Sequence, residues 1–164
     1  MNKLAGFYEL RNSNLPNVEW EEYSEDTEFN ENNLWTVRTV ILSGNDISLP
    51  RAVGVTAEEA KKVAEKIRHT YGDNAMIIYY PFFVAEKSGT IMCNRDSAVL
   101  EAVEDNLWEL VNNGKLDLHA EFDEKTKKFK DNGFFSEKEL DIISDSVRRI
   151  RRSFKAELRE FKSI

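Results

Sequence analysis

Cysteine is almost absent from this sequence, since Cys93 is the only one among 164 residues. One thiol cannot form an intramolecular disulfide, and the N-terminal residues lack the long apolar stretch of a secretory signal peptide. We therefore expect a protein of a reducing, cytoplasmic compartment. Glycine (7 residues) and proline (3 residues) are also scarce. No repeat with a period of about 20 to 50 residues is visible, which argues against collagen-like and repeat architectures.

Long hydrophobic runs are missing as well. The longest one covers eleven residues, from Ala75 to Ala85, and is interrupted by Pro81, whereas a membrane-spanning helix needs about 20 apolar residues. The net charge of −7 disfavours non-specific nucleic-acid binding, which depends on neutralising phosphates. With 41% hydrophobic and 32% charged residues, the composition is that of a globular protein with a core of its own.

Residues that bind metals or perform catalysis are few and scattered. His69, Cys93 and His119 lie far apart in the sequence, and no CxxC, HExxH or GxSxG motif occurs. The run from Lys87 to Thr90 has the composition of a phosphate loop but not its order, because a P-loop places glycines before the lysine and a helix after it. We therefore predict no metal site and no cofactor. Whether the two histidines and the cysteine converge in space stays open.

The N-terminal third begins with a predicted strand and continues as an acidic segment. Leu4 to Leu10 is rich in β-forming residues and is predicted as an added N-terminal strand. Residues 19 to 31 then hold seven carboxylates and no basic residue, which is typical of a solvated loop. Trp20, Tyr23 and Phe29 lie within this segment, and we expect their rings to pin it to the domain surface.

Alternating and helical patterns follow between residues 34 and 72. Leu34 to Ser43 is the clearest strand and ends at a turn over residues 43–46. The spacing of Thr56 and Glu59 predicts a capping box at the start of a helix, and Gly72 predicts its end.

The stretch from residue 75 to residue 122 allows two interpretations. Ala75 to Tyr80 is a strand, and Pro81 either bends or ends it. In the favoured interpretation, residues 82–85 and 90–92 form a hairpin; in the other, residues 81–94 are a loop. A helix capped by Asn94 or Asp96 and a half-buried strand from Leu116 to Phe122 complete the region.

The element order predicts an α+β protein with a single domain over residues 1–164. Residues 1–33 hold the N-terminal strand and acidic segment, residues 34–123 a βαββαβ core, and residues 136–164 a long C-terminal helix. The core order is that of a ferredoxin-like (split β-α-β) antiparallel sheet. The alternative, if residues 81–94 are a loop, is a three-layer or two-layer α/β fold with a parallel sheet.

The C-terminal helix combines a capping box, an apolar stripe and a basic cluster. Ser136 and Glu139 form the box, and the stripe runs from Leu140 to Phe161 at near-heptad spacing. Seven basic and two acidic residues lie between Val147 and Ile164. The partner-binding candidates of this helix are Arg148, Arg149, Arg151, Arg152, Phe154, Lys155 and Phe161.

Without a catalytic constellation, the sequence favours a non-catalytic binding or regulatory domain that acts through protein–protein association or self-association by its C-terminal helix. One alternative is a small-molecule-binding domain or enzyme whose site lies near the strand and turn at 79–90, with Arg38 or His119 nearby. Its ligand-binding candidates are Tyr79, Tyr80, Phe82, Phe83, Lys87 and Ser88. Another alternative is nucleic-acid binding through the arginine-rich helix.

Overall fold

The chain forms an α+β structure with two antiparallel sheets. A computed structural model describes residues 3–13, 15–41 and 48–154. The chain divides into two compact units, Met1–Phe83 (unit 1) and Val84–Ile164 (unit 2), and each contains a four-stranded sheet. Every strand pairing within the described residues is antiparallel, so the alternative with a parallel sheet is wrong. The expectation of a single domain stays a prediction.

Unit 1 is a sheet with strand order β1-β4-β2-β3 and a helix on each face. Its elements are α1 (Lys3–Asn12), β1 (Glu21–Glu22), β2 (Trp35–Ile41), β3 (Arg51–Val55), α2 (Ala57–Tyr71), a 3-10 turn (Gly72–Asn74) and β4 (Ala75–Pro81).

The face of this sheet that α2 covers is held by the main core of unit 1. Because side chains alternate along β2, Trp35 and Val37 point to this face and pack with Ala60, Ala64 and Ile67 of α2. The predicted capping box is confirmed, since the Thr56 hydroxyl accepts from the Glu59 N–H and the Glu59 carboxylate accepts from the Thr56 N–H.

The opposite face is covered by α1, where the predicted N-terminal strand is wrong. Residues 4–10 belong to a helix, which places Leu4 and Phe7 one turn apart on the same side. Both pack against Val40 and Ile78 of the sheet, together with Trp20. A strand would turn Leu4 and Phe7 to opposite sides, so packing on the sheet overrides the weak local β-preference.

The acidic segment is anchored as the sequence predicts. Trp20 and Tyr23 are buried, and Phe29 packs on the core under α2 with its ring centroid 4.9 Å from that of Tyr79. The short strand β1 within the segment pairs with β4. The carboxylates therefore lie on a segment fixed to the sheet rather than on a free linker.

Unit 2 is a sheet with strand order β5-β6-β7-β8, and α4 packs on one of its faces. Its elements are β5 (Lys87–Cys93), β6 (Ala98–Glu104), α3 (Leu107–Asn113), β7 (Leu118–Asp123), β8 (Lys128–Phe129) and α4 (Glu137–Ser153). Ala102 and Ala120 of the sheet are buried in the core of this unit, and Val147 of α4 is completely buried there.

Two expectations for the middle of the chain are wrong. The hairpin does not form: β4 pairs with β2 in one sheet, whereas β5 pairs with β6 in the other, and residues 82–85 are not a strand. The helix predicted after Asn94 is the strand β6 followed by the seven-residue α3. Val99, Leu100 and Val103 have helical spacing, but Ala98, Leu100 and Ala102 alternate, and the burial of the latter set against α4 selects the strand. The ferredoxin-like arrangement is not confirmed, since its strands lie in two sheets.

Helix α4 begins as the sequence predicts. Ser136 and Glu139 form the capping box, and Leu140, Ile143 and Val147 of the apolar stripe pack in the core of unit 2. The described part of α4 ends at Ser153. Residues 155–164, which include Lys155 and Phe161, lie outside the described residues, as does the turn predicted at 43–46.

We expect the Gly89→Ala substitution to destabilise unit 2 by about 1–3 kcal/mol, the usual cost of overpacking. A Cβ atom at Gly89 would lie 2.5 Å from the backbone oxygen of Glu101 on the neighbouring strand, so β5 and β6 would have to move apart. The measurement is urea unfolding, together with amide hydrogen exchange of peptides from β5 and β6. Gly6→Ala is the control, because the space around Gly6 in α1 is open. Unchanged protection of β5 in the Gly89 variant would contradict this packing.

Candidate functional site

A polar cavity within unit 1 contains two arginines. It has a volume of about 330 Å³ and is open to solvent. We call it the arginine pocket. It is lined by Phe7, Arg38, Thr39, Val40, Ser48, Leu49, Pro50 and Arg51, which come from α1, from β2 and from the start of β3 with the residues before it.

The pairing of β2 with β3 brings the two arginines together. Arg38 and Arg51 are direct partners in this antiparallel ladder, so their side chains leave the same face of the sheet. That face is the one that α1 covers, because Val40, two residues after Arg38, packs with Phe7 of α1. Cα atoms of directly opposed residues lie about 4.5–5.5 Å apart. The two guanidinium groups therefore start from adjacent positions.

Neither arginine of the pocket has a partner within the described part of the chain. The Nε atom of Arg38 is buried and makes no hydrogen bond, and no described carboxylate lies in ion-pair range of Arg38 or Arg51. Two like charges directly across a ladder destabilise it, and a buried donor without an acceptor costs about 1–3 kcal/mol. Yet carboxylates outnumber lysines and arginines between residues 1 and 83. Among the described residues, the arginine pocket therefore holds two arginines without a carboxylate partner, in a unit where acidic residues are in excess.

Hydroxyl groups and backbone geometry complete the rim of the pocket. The Thr39 hydroxyl donates to the Pro50 carbonyl at 2.7 Å, which fixes the chain as it enters β3. Ser48 is exposed and adopts a φ of 58°, a left-handed conformation that costs a non-glycine residue about 1–2 kcal/mol. Residues held in such conformations cluster at ligand sites.

The aromatic residues predicted as a ligand wall do not share one surface. Tyr79 points into the core under α2, and its hydroxyl donates to Glu21 at 2.8 Å. Burial and this contact raise the pKa of Tyr79 to about 12. Tyr80 packs on the α1 side of the sheet, Phe82 lies against Gly54, and Phe83 is exposed. Alternation along β4 is what separates Tyr79 from Tyr80.

The other two ligand candidates, Lys87 and Ser88, have structural contacts within unit 2. The Lys87 ammonium lies 3.0 Å from Glu139 of the α4 capping box, and 5.3 Å from the ring centroid of Phe135. The Ser88 hydroxyl donates to the Asp105 carbonyl at 2.7 Å. Their use as ligand-binding groups stays a prediction, but Lys87 links β5 to the start of α4.

The cysteine and the histidines provide no visible catalytic group. His69 belongs to unit 1, whereas Cys93 and His119 belong to unit 2 and use opposite faces of its sheet. Cys93 packs on the core under α4, where burial raises the pKa of its thiol. His119 lies on the other face, 3.4 Å from Glu101. Among the described residues, no group of three or more His, Cys, Asp or Glu side chains is placed to hold a metal ion.

The arginines of α4 are largely engaged by acidic residues of unit 2. Arg148 and Arg149 both contact Asp145 at 2.7 Å, and Arg151 contacts Glu124 at 2.7 Å. Arg152 is exposed, and Phe154 forms the C-terminal cap of the helix. Three of the four described arginines of this helix therefore pair with a carboxylate, whereas neither arginine of the arginine pocket pairs with a described one.

Sequence reasoning found only one half of the pocket. Arg38 is visible as the polar interruption of the clearest strand, but Arg51 follows Pro50 without any motif. Only the register between β2 and β3 places Arg51 next to Arg38, and no local sequence pattern predicts that register.

Comparisons with protein families, with curated proteins and with solved structures find no match for this chain. No helix in the described ranges is long and apolar enough to cross a membrane. The chemistry of the site must therefore be argued from its own residues.

We expect unit 2 to lose stability as the pH falls from about 4.5 towards 2. Hydrogen bonds from Ser136, together with Lys87, lower the pKa of Glu139 to about 2, and Arg151 with Lys127 lowers the pKa of Glu124 to about 2. Both pKa values are lower in the folded state than in the unfolded state. The two carboxylates therefore stabilise the folded state fully above the unfolded pKa, near 4.5, and this stabilisation is lost as they become protonated. The measurement is the urea midpoint as a function of pH.

The Glu139→Gln variant tests whether Glu139 causes part of this loss of stability at low pH. Glutamine can keep the capping-box geometry but has no charge for Lys87, so its urea midpoint should fall less steeply with acid than that of the wild type. Glu137→Gln, an exposed position in the same turn, is the control. Equal slopes for wild type and Glu139→Gln would contradict the role of Glu139.

Proposed function

We propose that this protein is a non-catalytic binding protein and that its ligand is a small anion held in the arginine pocket. The observation that carries the proposal is the pair Arg38 and Arg51, opposed across a ladder and without a described partner. Buried polar groups in proteins are satisfied as a rule, and an exception calls for an explanation such as a bound ion.

The charge and the hydrogen-bond donors of the two arginines favour an anion as the ligand. Each guanidinium is a permanent cation with five donors in a planar fork that matches carboxylate and phosphate groups. An anion between the two would remove their mutual repulsion and supply an acceptor for the buried Nε of Arg38. The pocket volume of about 330 Å³ falls at the lower end of small-molecule sites, which span about 300–1,000 Å³.

A second candidate function is self-association through α3 in unit 2. Asn106 caps the start of this helix and Gly114, in a left-handed conformation, caps its end. Its residues Leu107, Trp108 and Val111 are exposed, Trp108 by 58%. Exposed apolar clusters of this kind mark interaction sites, and tryptophan is enriched among residues that dominate binding energy. This surface supports the association expected from the sequence better than the stripe of α4, whose described part packs in its own core.

We expect saturable stabilisation of the wild-type protein by an anion panel of phenyl phosphate, phenyl sulfate and benzoate. Ligand at 100 times its Kd would stabilise the folded state by about 2.7 kcal/mol. The measurement is a thermal-shift titration at constant ionic strength. Arg38→Ala and Arg51→Ala should each weaken the response without losing stability, because each removes one of the two guanidinium groups and neither side chain pairs with a described group.

Lys61→Ala serves as the matched control, since it removes one positive charge from an exposed position of the same unit. It should keep the wild-type response. A panel without any saturable shift, or a shift that both arginine variants retain, would refute the anion-binding proposal.

For the second candidate, we expect the mass measured by light scattering to rise with protein concentration and to stay monomeric in the Trp108→Ser variant. The substitution removes the largest exposed apolar side chain of α3, so an interface centred on it would be lost. Ile142→Ser, at an exposed apolar position of α4, is the control. A wild-type monomer at the highest concentration reached would rule out this function.

A further inference from the structure

The arginine pocket has features that select among anions, and this inference rests on the proposed anion-binding function. We infer that its ligand is a phosphate monoester in the dianionic form, with a small apolar group attached to the phosphate. Three properties of the pocket lead to this class: the number of donor forks, their total charge, and the apolar half of the lining.

The number of donor forks favours a phosphate over a carboxylate. One bidentate guanidinium contacts both oxygens of a carboxylate, so a second guanidinium would have to share the same two oxygens. A phosphate monoester has three terminal oxygens, so it can accept from two guanidinium forks together. Arg38 and Arg51 present two such forks from directly opposed positions of one ladder, and the exposed Ser48 adds a hydroxyl at the rim.

The total charge favours a dianion over a monoanion. The two guanidinium groups carry two positive charges that are permanent in proteins, and the described residues lining the pocket contribute no negative charge against them. A monoanion would leave one charge uncompensated beside the buried Nε of Arg38. A phosphate monoester carries a charge of about −1.5 to −2 at pH 7, because its second pKa is about 6.

Half of the lining residues are apolar and supply a place for the ester group. Phe7, Val40, Leu49 and Pro50 share the cavity with the arginines. Inorganic phosphate would leave these surfaces in contact with water, whereas an apolar ester group would bury them and gain about 25 cal/mol per Å². We therefore expect the free phosphate ion to bind more weakly than a compact phosphate ester.

Between pH 5 and pH 8 the phosphate group of the ligand changes its charge, whereas the described residues that line the pocket do not. Arg38 and Arg51 are the only titratable groups among the described lining residues. Of the charged residues on α1, Arg11 stacks on Trp20, and Glu9 is an exposed carboxylate. His69, the histidine of unit 1, lies on α2, which covers the other face of the sheet.

The test is calorimetric titration of the whole protein with phenyl phosphate and phenyl sulfate. The two probes have nearly the same shape, but phenyl sulfate is a monoanion throughout this range. At pH 8 we expect phenyl phosphate to bind about tenfold more tightly or better, because it places one additional negative charge beside the two guanidinium groups. The ratio of the two affinities should fall towards one at pH 5. The affinity for phenyl sulfate should stay constant from pH 5 to pH 8, because a change in it would report titration of the protein itself.

The following variants and results distinguish a failure of this inference from a failure of the proposed anion site. Arg51→Ala should bring the ratio of the two affinities at pH 8 close to one, whereas Lys61→Ala should leave it unchanged. Equal affinities at pH 8 in the wild type would overturn the preference for a dianion while the anion site stands. Absence of binding by either probe would overturn the site itself. Inorganic phosphate binding as tightly as phenyl phosphate would overturn the part of the inference that concerns the apolar group.

Discussion

The antiparallel ladder around β2 is the constraint on which unit 1 depends. This strand pairs with β4 on one side and with β3 on the other, and its alternation divides the unit into two layers. Trp35 and Val37 face α2, while Val40 faces α1. A shift of the pairing by one residue would exchange these faces. The same register that buries the core therefore also sets Arg38 opposite Arg51.

The two arginines show how a stable sheet can retain an unfavourable arrangement. The ladder places like charges in opposition, which costs free energy, but the two cores on either face of the sheet hold the register in place. The segment from Glu19 to Glu31, rich in carboxylates, is fixed elsewhere by Trp20, Tyr23 and Phe29, so its charges are not free to move to the arginines. The acidic segment therefore contributes no carboxylate to the described lining of the arginine pocket.

In unit 2, in contrast to the arginine pocket, basic side chains form ion pairs with acidic ones. Lys87 connects the start of β5 to Glu139 in the first turn of α4, and Arg151 connects the last turn of α4 to Glu124. An ion pair therefore connects one end of the helix to β5 and the other end to the turn between β7 and β8. Residues that look like ligand-binding or partner-binding groups in the sequence are here part of the framework, because folding brings an acidic partner within reach.

Local signals in the sequence determined the features that depend on neighbouring residues. The capping boxes at Thr56 and Ser136, the strand over residues 35–41 and the apolar face of α4 all follow from spacings of a few residues. The α+β class and the anchoring of the acidic segment could be predicted for the same reason.

Only the tertiary structure decided the features for which local signals are ambiguous or absent. Residues 4–10 become a helix and residues 98–104 a strand, because burial against a sheet or a helix outweighs weak propensities. The assignment of β4 and β5 to different sheets, and the meeting of Arg38 with Arg51, depend on strand register. Register is a property of the packed faces as a whole, so no short stretch of sequence contains it.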